Sequence, residues 1–326
     1  MFDLSLVVPC FNEEENVDAF YEAARSVFDN SDYNYEIVFV NDGSRDKTFS
    51  KLRMLHEKDK RVAVVSFSRN FGKEAAMLAG LKRSKGNLVC IIDADLQQHP
   101  SVAKEMADFL KDNDEYDCVV AYQKERKESK SMQRIKKLFY KIINRVSDTE
   151  FVTGASDFRI FRRCMVEAIV AMPEYHRFSK GIFSWVGYNT YFMPYSALER
   201  NAGETKWSFK KLLKYAMEGF ISFTTFPLKI ATFLGIISSL LSVIYFGIVV
   251  IQKLFFGIDV PGYPTIIGLI LLIGGLQLLI LGIIGEYLAR IYIQSKNRPI
   301  YIEKEVISSD AVSYTHLRAH ETRHDL

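Results

Sequence analysis

The sequence predicts an α/β fold with a mostly parallel sheet, followed by two helices that span a membrane. Two observations support this prediction. In the N-terminal part, short apolar runs alternate with helical patterns, which is typical of βαβ units whose sheet is covered on both faces. Nearer the C-terminus, residues 230–251 and 265–285 contain no charged residue. Each stretch exceeds the ~20 residues needed to cross a bilayer core.

The elements of the α/β part follow from the position of apolar runs and helix signals. Acidic residues from Glu13 onward favour the start of a first helix, because they interact well with the helix dipole. Pro100 stands just ahead of a fourth helical pattern, where proline is well tolerated. The predicted strands are 4–9, 36–40, 62–67, 88–93 and 118–122, and the predicted helices are 13–28, 46–57, 74–82 and 101–111.

Composition narrows the class of protein. The 326 residues are 48% hydrophobic, enough for a sizeable core, and the net charge of +3 is too small to indicate a nucleic-acid partner. Four cysteines lack CxxC spacing, so we expect buried thiols in a reducing compartment and no zinc site. No GxGxxG pattern follows the first strand and no P-loop pattern is present, which disfavours the corresponding nucleotide-binding folds.

Two carboxylates end the fourth predicted strand. Asp93 and Asp95 are two residues apart, so on an extended chain both side chains point the same way. Converging carboxylates repel each other unless a cation lies between them, and hard oxygen ligands suit Mg²⁺ or Mn²⁺ held together with substrate phosphates. The alternative is a polar turn with Asp95 facing solvent, and for this motif taken alone we favour the turn, because short motifs often match by chance.

Polar side chains also follow the other predicted strands. The clusters are Asn12 with Glu13, Asn41 with Asp42, residues 68–73 and residues 93–97. In open α/β sheets, ligands bind beyond the carboxyl ends of the strands. The repeated placement of acids and amides at one edge of the sheet therefore favours a binding site over unrelated turns.

Three further polar segments are explained most simply by structure alone. Residues 124–141 are rich in Lys and Arg; we favour a solvated helix face or mobile loop over a flap covering an anionic substrate. Asp157 and Arg159 are most simply an internal salt bridge. Residues 200–207 end in a basic and an aromatic residue and, taken alone, are a loop before a helix.

The C-terminal third predicts a membrane-anchored domain organisation. An α/β domain (1–207) is followed by an amphipathic interfacial helix (208–228), a membrane hairpin (229–290) and a tail (291–311). Basic residues flank the hairpin, so the positive-inside rule places both of its ends and the α/β domain in the cytoplasm. Residues 312–326 resemble translated synthetic adapter sequence, and we interpret them as non-native.

Six motifs in order resemble the family 2 inverting glycosyltransferases of the GT-A fold. They lie at 8–13, 40–44, 68–73, 93–97, 157–159 and 203–207. With the membrane hairpin, the set is similar to the polyprenyl-phosphate glycosyltransferases, of the bactoprenol glucosyltransferase and dolichyl-phosphate mannose synthase kind. The QxxRW motif of processive polysaccharide synthases is absent.

The resemblance implies a reaction and a location. One sugar, glucose or N-acetylglucosamine, would pass from a UDP-sugar to undecaprenyl phosphate with inversion, at the bacterial inner (plasma) membrane and on its cytoplasmic side. The alternatives are transfer from GDP-mannose, a protein or glycan acceptor, and a non-catalytic membrane scaffold of the same fold. The sequence leaves open whether the chain forms a homo-oligomer.

The resemblance also implies roles for individual residues. Asp95 and Asp157 are the expected catalytic residues, with Asp157 either a base or a group that orients the acceptor or assists the metal. The nucleotide-sugar would contact Pro9, Asn12, Glu13, Asp42, Lys73 and Asp93. The metal would be bound by Asp93, Asp95 and Gln97. The acceptor phosphate would be bound by Arg159, Arg200 and Lys206.

Overall fold

The computed structural model describes residues 2–123, 144–145, 155–195, 224–256, 262–309 and 311–313. The strands are β1 Leu4–Cys10, β2 Tyr35–Asn41, β3 Val62–Phe67, β4 Leu88–Ile91, β5 Cys118–Gln123, β6 Ala155–Arg162, β7 Thr190–Tyr195, β8 Glu303–Ser308 and β9 Ala311–Ser313. The helices are α1 Val17–Phe28, α2 Thr48–Lys58, α3 Lys73–Arg83, α4 Pro100–Asp112, α5 Arg163–Ala171, α6 Ser179–Trp185, α7 Phe226–Phe256 and α8 Tyr263–Ser295.

A single mixed sheet organises the described part of the α/β domain. Its strand order is β7-β5-β6-β4-β1-β2-β3-β8-β9. The central strands β4, β1, β2 and β3 are parallel, and every residue of β2 is buried. The predicted mostly parallel α/β fold is therefore confirmed, with small shifts at the element ends. The first helix begins at Val17 rather than Glu13, because residues 13–16 form a turn bonded to the loop after β2.

Helices cover both faces of this sheet and so create two cores. On one face, Phe20 of α1, Leu52 of α2 and Met106 of α4 are fully buried against the strands. On the other face, Met77 of α3 and Ile169 of α5 are buried in the same way. Burying a large apolar side chain contributes about 1.5–3 kcal/mol, so the two cores hold the strand ends in fixed positions.

Strand β6 lies between β4 and β5 and runs antiparallel to both. In its register with β4, Arg159 pairs with Ile91. If that register continues two residues further, Asp157 comes level with Asp93. The pairing of these strands thus brings residues from distant parts of the chain to the same edge of the sheet.

The chain returns to the sheet after the membrane helices. Strand β8 pairs antiparallel with β3, and Glu303 and Glu305 form ion pairs with Arg83 and Arg53 at 2.8 and 2.6 Å. The residues predicted as a tail (291–311) therefore include a strand of the α/β domain. Residues 312 and 313 lie in β9, while residues 314–326 are outside the described residues.

Helices α7 and α8 are long and apolar enough to cross a membrane, over Phe226–Gln252 and Ile266–Ser295. Their large apolar side chains are exposed rather than packed in a protein interior, as Leu241 and Leu272 illustrate. Contact of such a large apolar surface with water would be unfavourable, so we take this surface as facing lipid. Most of the predicted amphipathic helix (208–223) and the basic segment 124–141 lie outside the described residues.

Candidate active site

The loops after β1 and β2 are hydrogen-bonded to each other. The backbone N–H of Asn12 donates to Ser44 Oγ at 3.0 Å, and the Arg45 N–H donates to Asn12 Oδ1 at 3.0 Å. The Glu13 N–H donates to Thr48 Oγ1 at 2.9 Å. Asn12 has a φ of 53°, a left-handed conformation that asparagine tolerates better than most residues. The predicted nucleoside-binding residues thus sit on a locally rigid edge, with Pro9 partly exposed beside them.

Asp42 fixes the loop that follows β3. Its carboxylate is 3% exposed and accepts the N–H groups of Phe71 at 2.6 Å and Gly72 at 2.9 Å. Burial raises the pKa of Asp42, and the two hydrogen bonds only partly oppose that rise. Next to it, Gly43 has a φ of 63°, and a Cβ there would lie 2.6 Å from the Asn70 nitrogen. The structure gives Asp42 this loop-holding contact, and its expected contact with a nucleobase stays a prediction.

Lys73 joins two carboxylates at the sheet edge. Its Nζ lies 2.7 Å from Asp93 Oδ1 and 3.2 Å from Asp157 Oδ2. Lys73 is the first residue of α3, Asp93 follows β4, and Asp157 is on β6. The simple Asp157–Arg159 pair suggested by the sequence is therefore replaced by a three-residue cluster drawn from three elements.

The charges around Asp157 keep it ionised. Burial alone would raise the pKa of its carboxyl, but the charges of Lys73, Lys180 and Arg159 outweigh this effect and hold the pKa well below its usual range. For Lys73, the two carboxylates likewise outweigh burial and raise its pKa. Asp157 Oδ1 is buried and has no hydrogen-bond partner among the described residues. A carboxylate with a lowered pKa is a weak base, so this environment favours an orienting role for Asp157.

A basic cavity of about 720 Å³ opens above this cluster. Its walls come from the loop after β3, the start of α3, the 172–178 loop and α6. Four cationic and two acidic residues line it. The cationic residues are Arg69, Lys73, Arg177 and Lys180, and the acidic residues are Glu74 and Asp157. The excess of cations favours an anionic ligand, because bonds between cations and phosphate oxygens are strong.

Known proteins share this architecture. The model for glycosyl transferase family 2 matches residues 5–170, and the GtrB C-terminal hairpin matches residues 226–291. The putative glycosyltransferase CsbB of Bacillus subtilis is 43% identical over 303 residues, which cover 93% of this chain and 91% of CsbB. The chain belongs to glycosyl transferase family 2.

Two further relatives carry more specific names. The prophage bactoprenol glucosyl transferase homolog of Escherichia coli is 41% identical over 304 residues, covering 93% of this chain and 99% of that protein. The bactoprenol glucosyl transferase of Shigella phage SfV is 42% identical over 302 residues, covering 92% and 98%. This family 2 glycosyltransferase has the GT-A type of α/β domain that its motifs predicted, joined to a GtrB C-terminal hairpin.

The expected metal ligands of the glycosyltransferase lie in one turn after β4. Leu96 has a φ of 59°, and the Gln97 N–H donates to Asp95 Oδ1 at 3.1 Å. Among the described residues, no three His, Cys, Asp or Glu side chains group closely enough to hold a metal ion. Asp93, Asp95 and Gln97 carry the hard oxygen donors that a divalent cation shares with a diphosphate, and their role as metal ligands stays a prediction.

The expected acceptor-phosphate residues are less well supported. Arg159 is 5% exposed, its guanidinium donates to the Ser156 carbonyl at 2.7 Å, and it lies 4.4 Å above the Phe183 ring. Arg159 does not line the cavity, whereas sequence reasoning missed Arg177 and Lys180, which do. The only local signal was the basic and aromatic content of residues 175–180. Arg200 and Lys206 are outside the described residues.

Proposed function

We propose that this glycosyltransferase transfers glucose from UDP-glucose to undecaprenyl phosphate, at the bacterial inner membrane with the catalytic domain in the cytoplasm. The observation that carries the proposal is the cluster of Lys73, Asp93 and Asp157, two of whose members, Lys73 and Asp157, line a basic cavity. That cavity is bounded by a loop in contact with the end of membrane helix α8. The names of the relatives, bactoprenol glucosyl transferases, support both the sugar and the acceptor.

The donor half of the site would hold a nucleoside diphosphate. Asp93, Asp95 and Gln97 would bind Mg²⁺ or Mn²⁺, which would offset the charge that develops on the leaving diphosphate. Lys73 would add a fixed positive charge beside the same oxygens. Pro9, Asn12 and Glu13 would line the nucleoside slot, and Asp42 would keep the Arg69 loop in place around it.

The acceptor half would receive a lipid phosphate. An oxygen of that phosphate forms a bond to the anomeric carbon as the bond from this carbon to the UDP oxygen breaks, so the configuration inverts and UDP leaves. A phosphomonoester has a second pKa of about 6, so it is largely ionised near neutral pH and needs no strong base. Asp157 would therefore hold Lys73 and the acceptor in place, while Arg69, Arg177 and Lys180 attract the headgroup.

Competing assignments differ in donor or in activity. Transfer of N-acetylglucosamine, transfer of mannose from GDP-mannose, and a silent scaffold all fit the same fold. We favour glucose because the relatives from Escherichia coli and Shigella phage SfV are named glucosyl transferases.

A donor panel tests the proposal directly. The purified protein in vesicles with undecaprenyl phosphate is incubated with UDP-glucose, UDP-N-acetylglucosamine or GDP-mannose, and lipid products are read by mass spectrometry. We expect a hexosyl lipid from UDP-glucose. A product from GDP-mannose alone would show a different donor, and no product from any donor would support the scaffold.

The same assay tests the metal assignment. Asp95→Ala should abolish transfer while the protein stays folded and membrane-bound, and Asp112→Ala, an exposed acid at the end of α4, should not. EDTA should stop turnover and Mg²⁺ or Mn²⁺ should restore it. An active Asp95→Ala variant, or full activity in EDTA, would refute the metal site.

A further inference from the structure

We propose that Gln294, near the end of membrane helix α8, is a positioning residue that sets the height of the catalytic cavity above the bilayer. This inference rests on the proposed function, because it concerns how a lipid acceptor reaches the site. It assigns Gln294 a role in acceptor use and none in donor binding.

Gln294 forms a two-point contact with the catalytic domain. Its Oε1 accepts the Tyr175 N–H at 2.8 Å, and its Nε2 donates to the Pro173 carbonyl at 3.0 Å. Both bonds go to backbone atoms, so they fix the path of the 172–178 loop whatever its side chains do. One amide side chain therefore satisfies a donor and an acceptor of a loop from a different part of the fold.

The other end of this loop is attached to the catalytic cluster. Glu74, the neighbour of Lys73, accepts both the N–H and the hydroxyl of Ser179, with the N–H bond at 2.9 Å. Between the two ends, Arg177 donates to the carbonyls of Met172 at 2.9 Å and Ile169 at 3.1 Å. The loop is thus held at three points and connects α8 to the residue beside Lys73.

The last part of the apolar span of α8, residues 286–295, carries the charges of Glu286 and Arg290, and we call it the stalk. Residues 265–285 are uncharged, and Glu286 is the first charged residue after them. Residues 286–295 remain helical, which gives a stalk about 15 Å long at about 1.5 Å per residue. Tyr287 donates its hydroxyl to the Thr224 carbonyl at 2.8 Å, so the stalk is also joined to the chain that enters α7.

The stalk is longer than the layer in which a lipid phosphate is presented, so it carries the loop just past that layer. Each headgroup region adds roughly 5–8 Å outside the hydrocarbon core, and the loop that lines the cavity is held near the far end of the stalk. A polyprenyl tail resists leaving the bilayer, because each exposed methylene costs free energy. Small changes in cavity height should therefore change KM strongly for the lipid acceptor and hardly at all for the soluble donor.

The test compares Gln294→Ala with Ser295→Ala in the full-length protein in vesicles. Ser295 donates its hydroxyl to Tyr292 within the same helix, so its variant removes a hydrogen bond without touching the loop. For Gln294→Ala we expect KM for undecaprenyl phosphate to rise about tenfold, since two hydrogen bonds are lost and each changes an equilibrium a few-fold. KM for UDP-glucose should be unchanged, and Ser295→Ala should behave as wild type.

A short acceptor separates positioning from general damage. With geranyl phosphate in detergent, which is free of the bilayer constraint, Gln294→Ala should match the wild-type protein. Gln294→Glu keeps the acceptor for Tyr175 but loses the donor to Pro173, so its KM should be intermediate. Equal losses with both acceptors, or a raised KM for UDP-glucose, would overturn the proposal.

Hydrogen exchange gives a readout that does not depend on turnover. The Tyr175 amide should exchange faster in Gln294→Ala than in the wild type, and the Ser179 amide should not change. Unchanged protection of Tyr175 would refute the contact itself. A wild-type protein that makes no polyprenyl product would refute the proposed function but would leave this measurement interpretable.

Discussion

Removal of the Lys73 ammonium is the sharpest test of the catalytic cluster. In Lys73→Met, Asp93 and Asp157 lose their shared counter-ion, and only the charges of Lys180 and Arg159 still compensate Asp157. The two contacts, at 2.7 and 3.2 Å, give together about 3 kcal/mol of attraction in a water-like dielectric. This dielectric is the appropriate choice because the Lys73, Asp93 and Asp157 side chains are 40%, 31% and 22% exposed.

The net effect should be smaller than this gross attraction. Ordering and desolvating the lysine side chain offsets part of it, so we expect Lys73→Met to destabilise the folded domain by about 1–3 kcal/mol. Asp157→Asn should lower the free energy of unfolding by less in the Lys73→Met background than in the wild type, because Lys73, the ion-pair partner of Asp157, is already absent. A double-mutant cycle measured by thermal unfolding in detergent, followed by far-UV circular dichroism, reports this coupling.

The double-mutant cycle can also refute the interaction. A coupling energy below about 0.3 kcal/mol is within the additivity expected of independent sites, and it would show that Lys73 and Asp157 do not interact in solution. Lys104→Met is a matched control, because Lys104 pairs at 2.7 Å with Asp108 on the surface of α4. That variant should change stability by only a few tenths of a kcal/mol.

Two further predictions concern reactivity and acid stability. Cys164 is exposed, whereas Cys10, Cys90 and Cys118 are buried and burial raises the pKa values of their thiols. A maleimide should therefore label one thiol in the native protein. Labelling of several thiols, read by intact-mass analysis, would contradict the fold. For Asp29, burial opposes ionisation, but hydrogen bonds from Arg61, Tyr35 and Arg25 lower its pKa to about 2. Its stabilising effect should be complete above an ordinary aspartate pKa of about 3.9 and lost as the pH falls toward 2, and Asp29→Asn should flatten this part of a stability–pH curve.

The part of the fold predictable from sequence is the part built from local patterns. Strands β1 to β5 and helices α1 to α4 follow directly from alternating apolar runs and helix signals. Strand β8 could not be placed in this way, because its partner β3 is separated from it by more than two hundred residues and by the membrane hairpin. Only the tertiary pairing shows that this segment belongs to the sheet.

The candidate site, like the fold, was predictable from sequence only where local patterns specify it. Asp93 and Lys73 were expected at the edge because each lies where a predicted strand or loop ends. The approach of Asp157 depends on the antiparallel register of β6 with β4, which no local pattern specifies. Arg177 and Lys180 reach the cavity through the contacts of the 172–178 loop with Gln294 and Glu74, and these contacts are equally invisible in the sequence.

The pairing of β8 with β3 has a consequence for biosynthesis. The ribosome makes β8 only after both apolar helices have emerged, so β3 keeps an open edge until the hairpin has been threaded and the chain has come back. Exposed strand edges are prone to mispairing, so a chain that stops before β8 would leave this edge available to other molecules. The sheet of the α/β domain is therefore complete only after the whole hairpin has been synthesised.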